Sequence, residues 1–558
     1  MITGQIKKDF NRPFRLCFMA AIFMVILFGL TGDCPAEQPL HNSNDLNSAR
    51  MCAEWEPALG TLIRWPIGIP VALVVELAKD DSLYVLVENQ SQENQAINNF
   101  QSWGVNLDHC HFIRADTYSH WTRDWGPHSV FTSEGEWTIM DPIFDGYPWV
   151  PGKDDFRSAY YKSKGYEEDD LVNGVLAQEL ACSLLALPAY LTGGNIMVDG
   201  HGTAFSTRQM IDENSSLMTE NDFLDLLEDY AGLTDYHILS NTEDYGIQHI
   251  DCSAKLLDEE TVLIQELPAW HPEKWRMDRL VAEFESFTTC YGNPYEIVRI
   301  YCGSYNGNST AAYTNSLILN KKVLVPMFNI DSDSSALQTY REAMPGYEVI
   351  GFYYANWYYY DALHCRTMAI FDRDMLRIAH DSPDSLVESD SGFSLTVFID
   401  DMSEAGLVPQ DLQIKWRKQF EIEWDSVYLE EVAVDSFSAS IPAHDDGVVI
   451  EYYFQAGDST GRCEQLPRGA PEGFFSFYIL PGPVMCGDAN SDDIVDVSDA
   501  VYIINYAFAG GPAPDPEEAG DANCDVGVDV SDAVYIINYA FAGGNAPCDT
   551  DGDGEPDC

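Results

Sequence analysis

The stretch Asp361-Ala-Leu-His-Cys-Arg-Thr-Met368 sets one thiol, Cys365, between a histidine and an arginine, at the mouth of the apolar run Met368-Ala-Ile-Phe371. A thiolate is a strong nucleophile and adjacent cations lower a thiol pKa, so the segment predicts an activated Cys365. The chain has 14 cysteines, so this spacing decides little alone. Three upstream segments add to it: His120-Trp-Thr-Arg-Asp124-Trp-Gly-Pro127, Thr192-Gly-Gly-Asn195 and Gln248-His249-Ile-Asp251-Cys-Ser. On a strand, His249 and Asp251 at i and i+2 point to one face, roughly 7 Å apart. Singly, Asp124 reads as a turn cap, Gly193-Gly194 as a loop and His249/Asp251 as a surface pair. Together they supply a thiol, an imidazole and two carboxylates. Two carboxylates suit a planar guanidinium with its fixed fork of N–H donors. The thiolate could attack the electrophilic carbon while the imidazole protonates the departing amine.

The elements that must position these groups alternate. Gly60–Trp65 and Ser82–Val87 read as strands with a helix over 71–79 between them. Residues 171–187 and 222–230 read as amphipathic helices, and 314–326 as a hairpin turning at Asn320-Lys321. Repeated strand and helix modules predict an α/β or α+β class for residues 45–378. Periodicity does not close them into any one architecture.

At 558 residues the chain is too long for one core. Its net charge of −60, from 30 basic and 90 acidic residues, argues against nucleic acid and favours cationic substrates or bound calcium. Lys7, Lys8, Arg12 and Arg15 precede the apolar run Leu16–Leu30, which reads as a secretory signal over residues 1–36 with cleavage after Ala36. An uncleaved anchor is the alternative. No later segment reads as a membrane span, so the expectation is a secreted or cell-surface protein. Export permits disulfides among Cys463, Cys486, Cys524, Cys548 and Cys558, with the pairing open.

The segments Trp121-Thr-Arg-Asp124, Thr192-Gly-Gly-Asn195 with Asp199-Gly200, His249-x-Asp251-Cys252, Tyr313-Thr-Asn315-Ser-Leu-Ile-Leu-Asn320, Ala343–Glu348 and Asp361–Thr367 resemble the bacterial, Porphyromonas-type peptidylarginine deiminase family. That family is related to agmatine deiminases in the guanidino-group-modifying superfamily. The resemblance runs from about Glu54 to Asp372 and implies a five-bladed α/β propeller. It makes Cys365 the nucleophile and His249 the general acid and base. Asp124 and Asp251 would hold the guanidinium, Asn315 would support the site, and no cofactor would be needed. Trp121 and Arg123 of the first motif are expected beside the substrate. The family's exopeptide-type member carries Arg-Pro-Arg after the first aspartate motif, where this chain has Phe144-Asp-Gly-Tyr147-Pro148-Trp149. Tyr147 and Trp149 offer aromatic faces instead, so preference for C-terminal arginine should be lost or weakened. The expected substrate is an arginine-containing peptide or a small guanidino compound. Agmatine-type deimination is the enzymatic alternative, and a non-catalytic scaffold is the other.

Residues 383–481 change to alternating strand-like runs, which predict a β-sandwich and resemble the family's immunoglobulin-like domain. Residues 484–546 hold a repeat of period 33, Gly487–Asp499 recurring as Gly520–Asp532. Oxygen-bearing side chains fall at Asp488, Asn490, Asp492, Asp496 and Asp499, then at Asp521, Asn523, Asp525, Asp529 and Asp532, a calcium-loop spacing ahead of a helix. The pair resembles type I dockerin modules, which implies bound Ca2+ and a cohesin-type partner. Residues 547–558 form an acidic tail.

Overall fold

The computed structural model describes residues 49–147, 166–243, 246–387, 389, 391–480, 484–492 and 494–548. The leader, Trp149, Asp493 and most of the acidic tail lie outside the described residues.

Among the described residues, 50–371 form five sheets of three or four strands and one two-stranded ribbon, Ser304–Asn306 with Ser309–Thr310. In three of the sheets the plan is the same: a short strand, an antiparallel neighbour, a helix, then a strand parallel to that neighbour. Met197–Val198, Thr203–Thr207 and Asp235–Leu239 are one set. Ala254–Leu256, Thr261–Glu266 and Glu296–Tyr301 are the next. Leu317–Leu319, Lys322–Met327 and Glu348–Tyr353 follow. Parallel pairing requires a crossover, and the helices Glu220–Ala231, Lys274–Phe284 and Asp333–Ala343 supply it. The middle strands are nearly all buried, which is why they read as apolar runs and not as alternating ones.

The other two sheets are variations. One joins Arg50–Met51, His128–Phe131, Trp137–Ile143 and Ser183–Tyr190. The other places Ala58–Arg64, Ser82–Val87 and Cys110–Arg114 in parallel, and Met368–Phe371 closes onto Ala58–Arg64 antiparallel. The last strand of this segment therefore completes a sheet begun some 300 residues earlier (its register partners are Met368 and Leu62). The mixed α/β class is the observed one.

Local chemistry sets the helix ends. Asn89 Oδ1 accepts from the amides of Ser91 and Gln92 to open Gln90–Trp103, and Gly104 at φ 78° closes it. Thr219 and Asp222 form a reciprocal capping box on Glu220–Ala231.

The helix expected over 171–187 is shorter. Val172–Glu179 is helical, Ala181 turns at φ 49°, and Ser183–Tyr190 is a strand parallel to Trp137–Ile143. Strand pairing with a distant segment overrides the local apolar pattern. The His249-Ile-Asp251 segment is likewise not a strand: His249 caps a single 3₁₀ turn, Ile250–Cys252.

Beyond residue 375, two sheets share one buried cluster that includes Leu395, Val397, Ile414, Phe437, Tyr452, Phe454 and Phe477. The strand Phe393–Asp401 alternates buried and exposed side chains along most of its length, as a sheet with one face on a core must. Arg462 ties this region to the first one, with Nε 3.0 Å from Asp372 Oδ2. Further on, helices Val497–Ile504 and Val530–Ala542 pack Ala500, Ile503, Ala533 and Ile536 together. Cys524 and Cys548 form a disulfide, and Cys463 is free.

Candidate functional site

Each chemical segment occupies an equivalent place, the turn that leads into a short strand paired antiparallel with its neighbour. Thr122–Trp125 precedes His128–Phe131, and Gly193–Asn195 precedes Met197–Val198. Ile250–Cys252 precedes Ala254–Leu256, Asn315 precedes Leu317–Leu319, and His364–Arg366 precedes Met368–Phe371. Repetition of this position brings residues up to 241 apart in sequence into one buried cluster, as Asp124 and Cys365 illustrate.

Asn315 is the clamp. Its Nδ2 donates to Cys365 Sγ at 3.2 Å, while its Oδ1 accepts from the amides of His364 (3.0 Å) and Cys365 (3.3 Å). Cys365 Sγ is 3.7 Å from Asp251 Oδ2. Asp124 receives the Gly194 amide on Oδ1 at 3.1 Å and the Tyr147 hydroxyl on Oδ2 at 2.5 Å. His249 Nδ1 stands 3.5 Å from Asp124 Oδ1. Gly194 has no room for a side chain: a Cβ there would sit 2.6 Å from His249 Nδ1, 2.8 Å from Asp124 Oδ1 and 3.1 Å from Asp251 Oδ2. Asn195 Oδ1 accepts from the amides of Thr207 and Ile250, pinning this turn to the next.

Asp124, Asp251, His249, Asn315 and Cys365 are thus all brought together, each at most 3% exposed. Trp121 packs edge-on against Tyr147 at 5.2 Å between ring centroids. Arg123 is buried and points its Nη2 to within 3.9 Å of Glu54. It borders, with Glu54, Lys255, His364 and Asp251, a cavity of about 60 Å³.

The expected activation of Cys365 by its sequence neighbours does not occur. The Arg366 guanidinium turns away to Asp361 (2.6 and 2.8 Å) and to the carbonyl of Gly68. His364 turns to Asp251 and Glu54. The Cys252 thiol is the largest influence on Cys365 and favours the thiolate. Burial and the charges of Asp251, Asp361 and Asp124 outweigh it and push the thiol up to about 11. Burial, partly offset by Asp251, lowers His249 to about 4, so its ring is neutral at pH 7. Burial, reinforced by Asp251, holds Asp124 well above the usual carboxylate range. Burial pushes Asp251 up as well, but the hydrogen bond and charge of His364 outweigh it and keep Asp251 low.

Two groups were not singled out by sequence reasoning. Glu54 accepts from His364 Nε2 (2.6 Å), Lys255 Nζ (2.7 Å) and the Ile318 amide (2.8 Å). It lies at the start of the resembling stretch, with nothing around it to mark its role. His364 stood in the motif itself but was read as a neighbour of the thiol.

In the C-terminal repeats, Asp499 Oδ1 accepts from the Asn490 amide and Asp532 Oδ1 from the Asn523 amide, both at 3.1 Å. Burial and the carboxylates of Asp488 and Asp492 raise Asp499, and Asp532 is raised in the same way by burial, Asp521 and Asp525. Asn490 Oδ1 and Asn523 Oδ1 are buried without a partner among the described residues. Crowded carboxylates and orphaned acceptors fit a hard cation. Asp496 and Asp529 cap their helices through Oδ1, each accepting from a serine amide and hydroxyl.

A buried thiol, a neutral imidazole and two carboxylates on small mixed sheets define the guanidino-modifying class of enzyme. Residues 50–370, more than half of the chain, match the Porphyromonas-type peptidyl-arginine deiminase family, and the chain belongs to it. Residues 486–540 match the type I dockerin domain. A Shewanella baltica (strain OS195) protein named as an agmatine deiminase is 23% identical over 272 residues, which is 44% of this chain and 70% of the relative. The crystal structure of a protein named as a peptidyl-arginine deiminase superposes with a TM-score of 0.50 at 22% identity, covering 58% of this chain and 99% of that one. An X-ray structure named for agmatine deiminase gives 0.52 at 20% identity, covering 58% and 96%. These likenesses extend to the fold.

Proposed function

We propose that the chain is an exported arginine deiminase that converts a guanidino group, peptidyl or free, to citrulline and ammonia. The observation that carries this reading is the pair Asp124 and Asp251, whose buried oxygens meet His249 around the bare backbone of Gly194, with a thiol clamped by Asn315 3.7 Å from Asp251. A guanidinium between them would supply the missing positive charge. It would lower the pKa of both Asp124 and Cys365, so that substrate itself completes the activation.

Cys365 Sγ then attacks the guanidinium carbon to give a tetrahedral adduct. His249, neutral in the resting site, takes the proton that Cys365 gives up and hands it to the departing nitrogen as the C–N bond breaks and ammonia leaves. Water, deprotonated by the same ring, attacks the S-alkylthiouronium; the C–S bond breaks and citrulline is released with the thiolate restored. Asn315 Nδ2 steadies the thiolate at both ends of the cycle. Tyr147 positions Asp124 and, with Trp121, walls the site by an aromatic edge.

In the same reading, residues 45–378 are the catalytic domain and the five sheets are blades of a propeller around this site. Residues 383–481 are an immunoglobulin-like sandwich. Residues 484–546 are a dockerin-like module in which Asp488, Asn490, Asp492, Asp496 and Asp499, with Asp521, Asn523, Asp525, Asp529 and Asp532, hold Ca2+. The ion would cross-brace each loop ahead of its helix. Val501, Ile504 and Phe508 are exposed, as are their repeats Val534, Ile537 and Phe541, which supports docking of a cohesin-type partner. The leader and this module together support a secreted or cell-surface setting.

The test is to incubate the calcium-loaded protein with an internal-arginine peptide, a C-terminal-arginine peptide and agmatine, measuring citrulline and ammonia. Peptidyl citrulline, absent with Cys365→Ala, is the expected result. Turnover of agmatine alone would place the activity on small amines. Silence on all three would overturn the reading.

A further inference from the structure

One group of three thiol and carboxylate donors among the described residues has its ligand atoms all within 4.8 Å of one another: Asp251, Cys252 and Cys365. Cys252 makes and breaks no bond in the steps above, although its thiol favours the Cys365 thiolate. It sits in the turn that carries Asp251, is 4% exposed, and is not disulfide-bonded. Asn315 Nδ2 faces both sulfurs, at 3.2 Å from Cys365 Sγ and 3.6 Å from Cys252 Sγ.

These atoms are close enough to share one ion, and one of their separations can be set against a tetrahedral coordination sphere. With Zn–S near 2.3 Å and Zn–O near 2.1 Å, a tetrahedral ion separates its sulfur and oxygen ligands by about 3.6 Å and its two sulfurs by about 3.8 Å. The Cys365 Sγ to Asp251 Oδ2 distance is 3.7 Å. Calcium and magnesium prefer all-oxygen ligation, so two sulfurs select a thiophilic cation. The side of the ion facing the substrate space would keep one position open for water.

We propose that Cys252, Cys365 and Asp251 form a site for a thiophilic divalent cation of the Zn2+ class, mutually exclusive with guanidinium. Binding converts both thiols to thiolates and releases two protons as the two S–metal bonds and one O–metal bond form. Asn315 then donates to the metal-bound sulfurs as an outer-shell partner. The ion occupies the nucleophile and one of the two carboxylates that would hold substrate. It therefore inhibits in competition with substrate and is reversed by a chelator. The inhibitory consequence rests on the deiminase reading, whereas the binding site does not.

The experiment uses the full chain, with its thiols kept reduced by a phosphine and calcium present in excess. Co2+ is added as a spectroscopic probe, and Zn2+ inhibition of deimination is measured in parallel. The wild-type protein should develop a near-ultraviolet thiolate-to-cobalt charge-transfer band at one equivalent. The band should weaken in Cys252→Ser and in Cys365→Ser. Zinc sensitivity, taken relative to each variant's own metal-free rate, should fall by about tenfold or more in Cys252→Ser, since losing a direct ligand costs at least as much as losing an outer-shell one. Absence of a cobalt band in the wild type, or an undiminished band in Cys252→Ser and Cys365→Ser, would overturn the proposal. So would equal zinc sensitivity of wild type and Cys252→Ser. If the protein turns over no guanidino compound, the cobalt band still decides the site while the deiminase reading fails by itself.

Discussion

Asp251 Oδ2 lies 2.8 Å from Nδ1 of His364, and the other nitrogen of that ring lies 2.6 Å from Oε2 of Glu54. The histidine beside the thiol in sequence thus serves the carboxylate opposite the thiol in space. Lys255 Nζ, 2.7 Å from Glu54 Oε1, anchors the far end of the relay.

His364→Asn should loosen Asp251 without touching substrate. A hydrogen bond to a charged group contributes about 1.5–3 kcal/mol, so kcat/KM should fall about 10- to 100-fold. Steady-state kinetics on a variant of native circular dichroism would check it, and wild-type kinetics would refute the relay.

Gly194→Ala should block the site. The added Cβ would meet His249, Asp124 and Asp251 at 2.6–3.1 Å. Displacing groups by about 1 Å can cost about 100-fold in rate. Overpacking of this kind costs about 1–3 kcal/mol of stability. Turnover and a thermal melt, measured together, separate occlusion from unfolding.

The pH dependence follows from the thiol. With Cys365 pushed up to about 11, about one molecule in ten thousand carries the thiolate at pH 7. Iodoacetamide labelling of Cys365, read by mass spectrometry, should accelerate about tenfold per pH unit across the neutral-to-alkaline range. A guanidinium ligand unable to react should raise the thiolate fraction at fixed pH. A flat labelling rate between about pH 7 and pH 9 would contradict the buried, uncompensated thiol.

Glu243, close enough to feel the charge of Asp251 but outside the proposed steps, supplies a stability test. Burial, with the charge of Glu273, pushes its carboxyl up to about 8. The folded state keeps a proton that the unfolded chain has released, so stability should fall as pH rises from the ordinary glutamate range through about 8. Glu243→Gln removes that loss. It should stabilise the protein by at least about 1 kcal/mol at alkaline pH and little at acidic pH, in denaturant melts at both.

The chain by itself pointed to the candidate site. Cys365, His249, Asp124, Asp251 and Asn315 stand in long motifs that resemble those of the deiminase family, and the period of 33 marks two copies of one loop and helix. Local signals also placed the strands near 60–65 and 82–87, the helices near 71–79 and 222–230 and the hairpin over 314–326, whereas the strand Ser183–Tyr190 depends on a distant partner. Tertiary structure decided how those groups act. Adjacency along the chain suggested that His364 and Arg366 would acidify Cys365, yet their side chains point elsewhere. The thiol meets an amide, a second thiol and carboxylates contributed by other sheets. Glu54 and Cys252 became visible only there as well. Burial and the distance between charges set each group's protonation, and both depend on which distant turns the five sheets bring together.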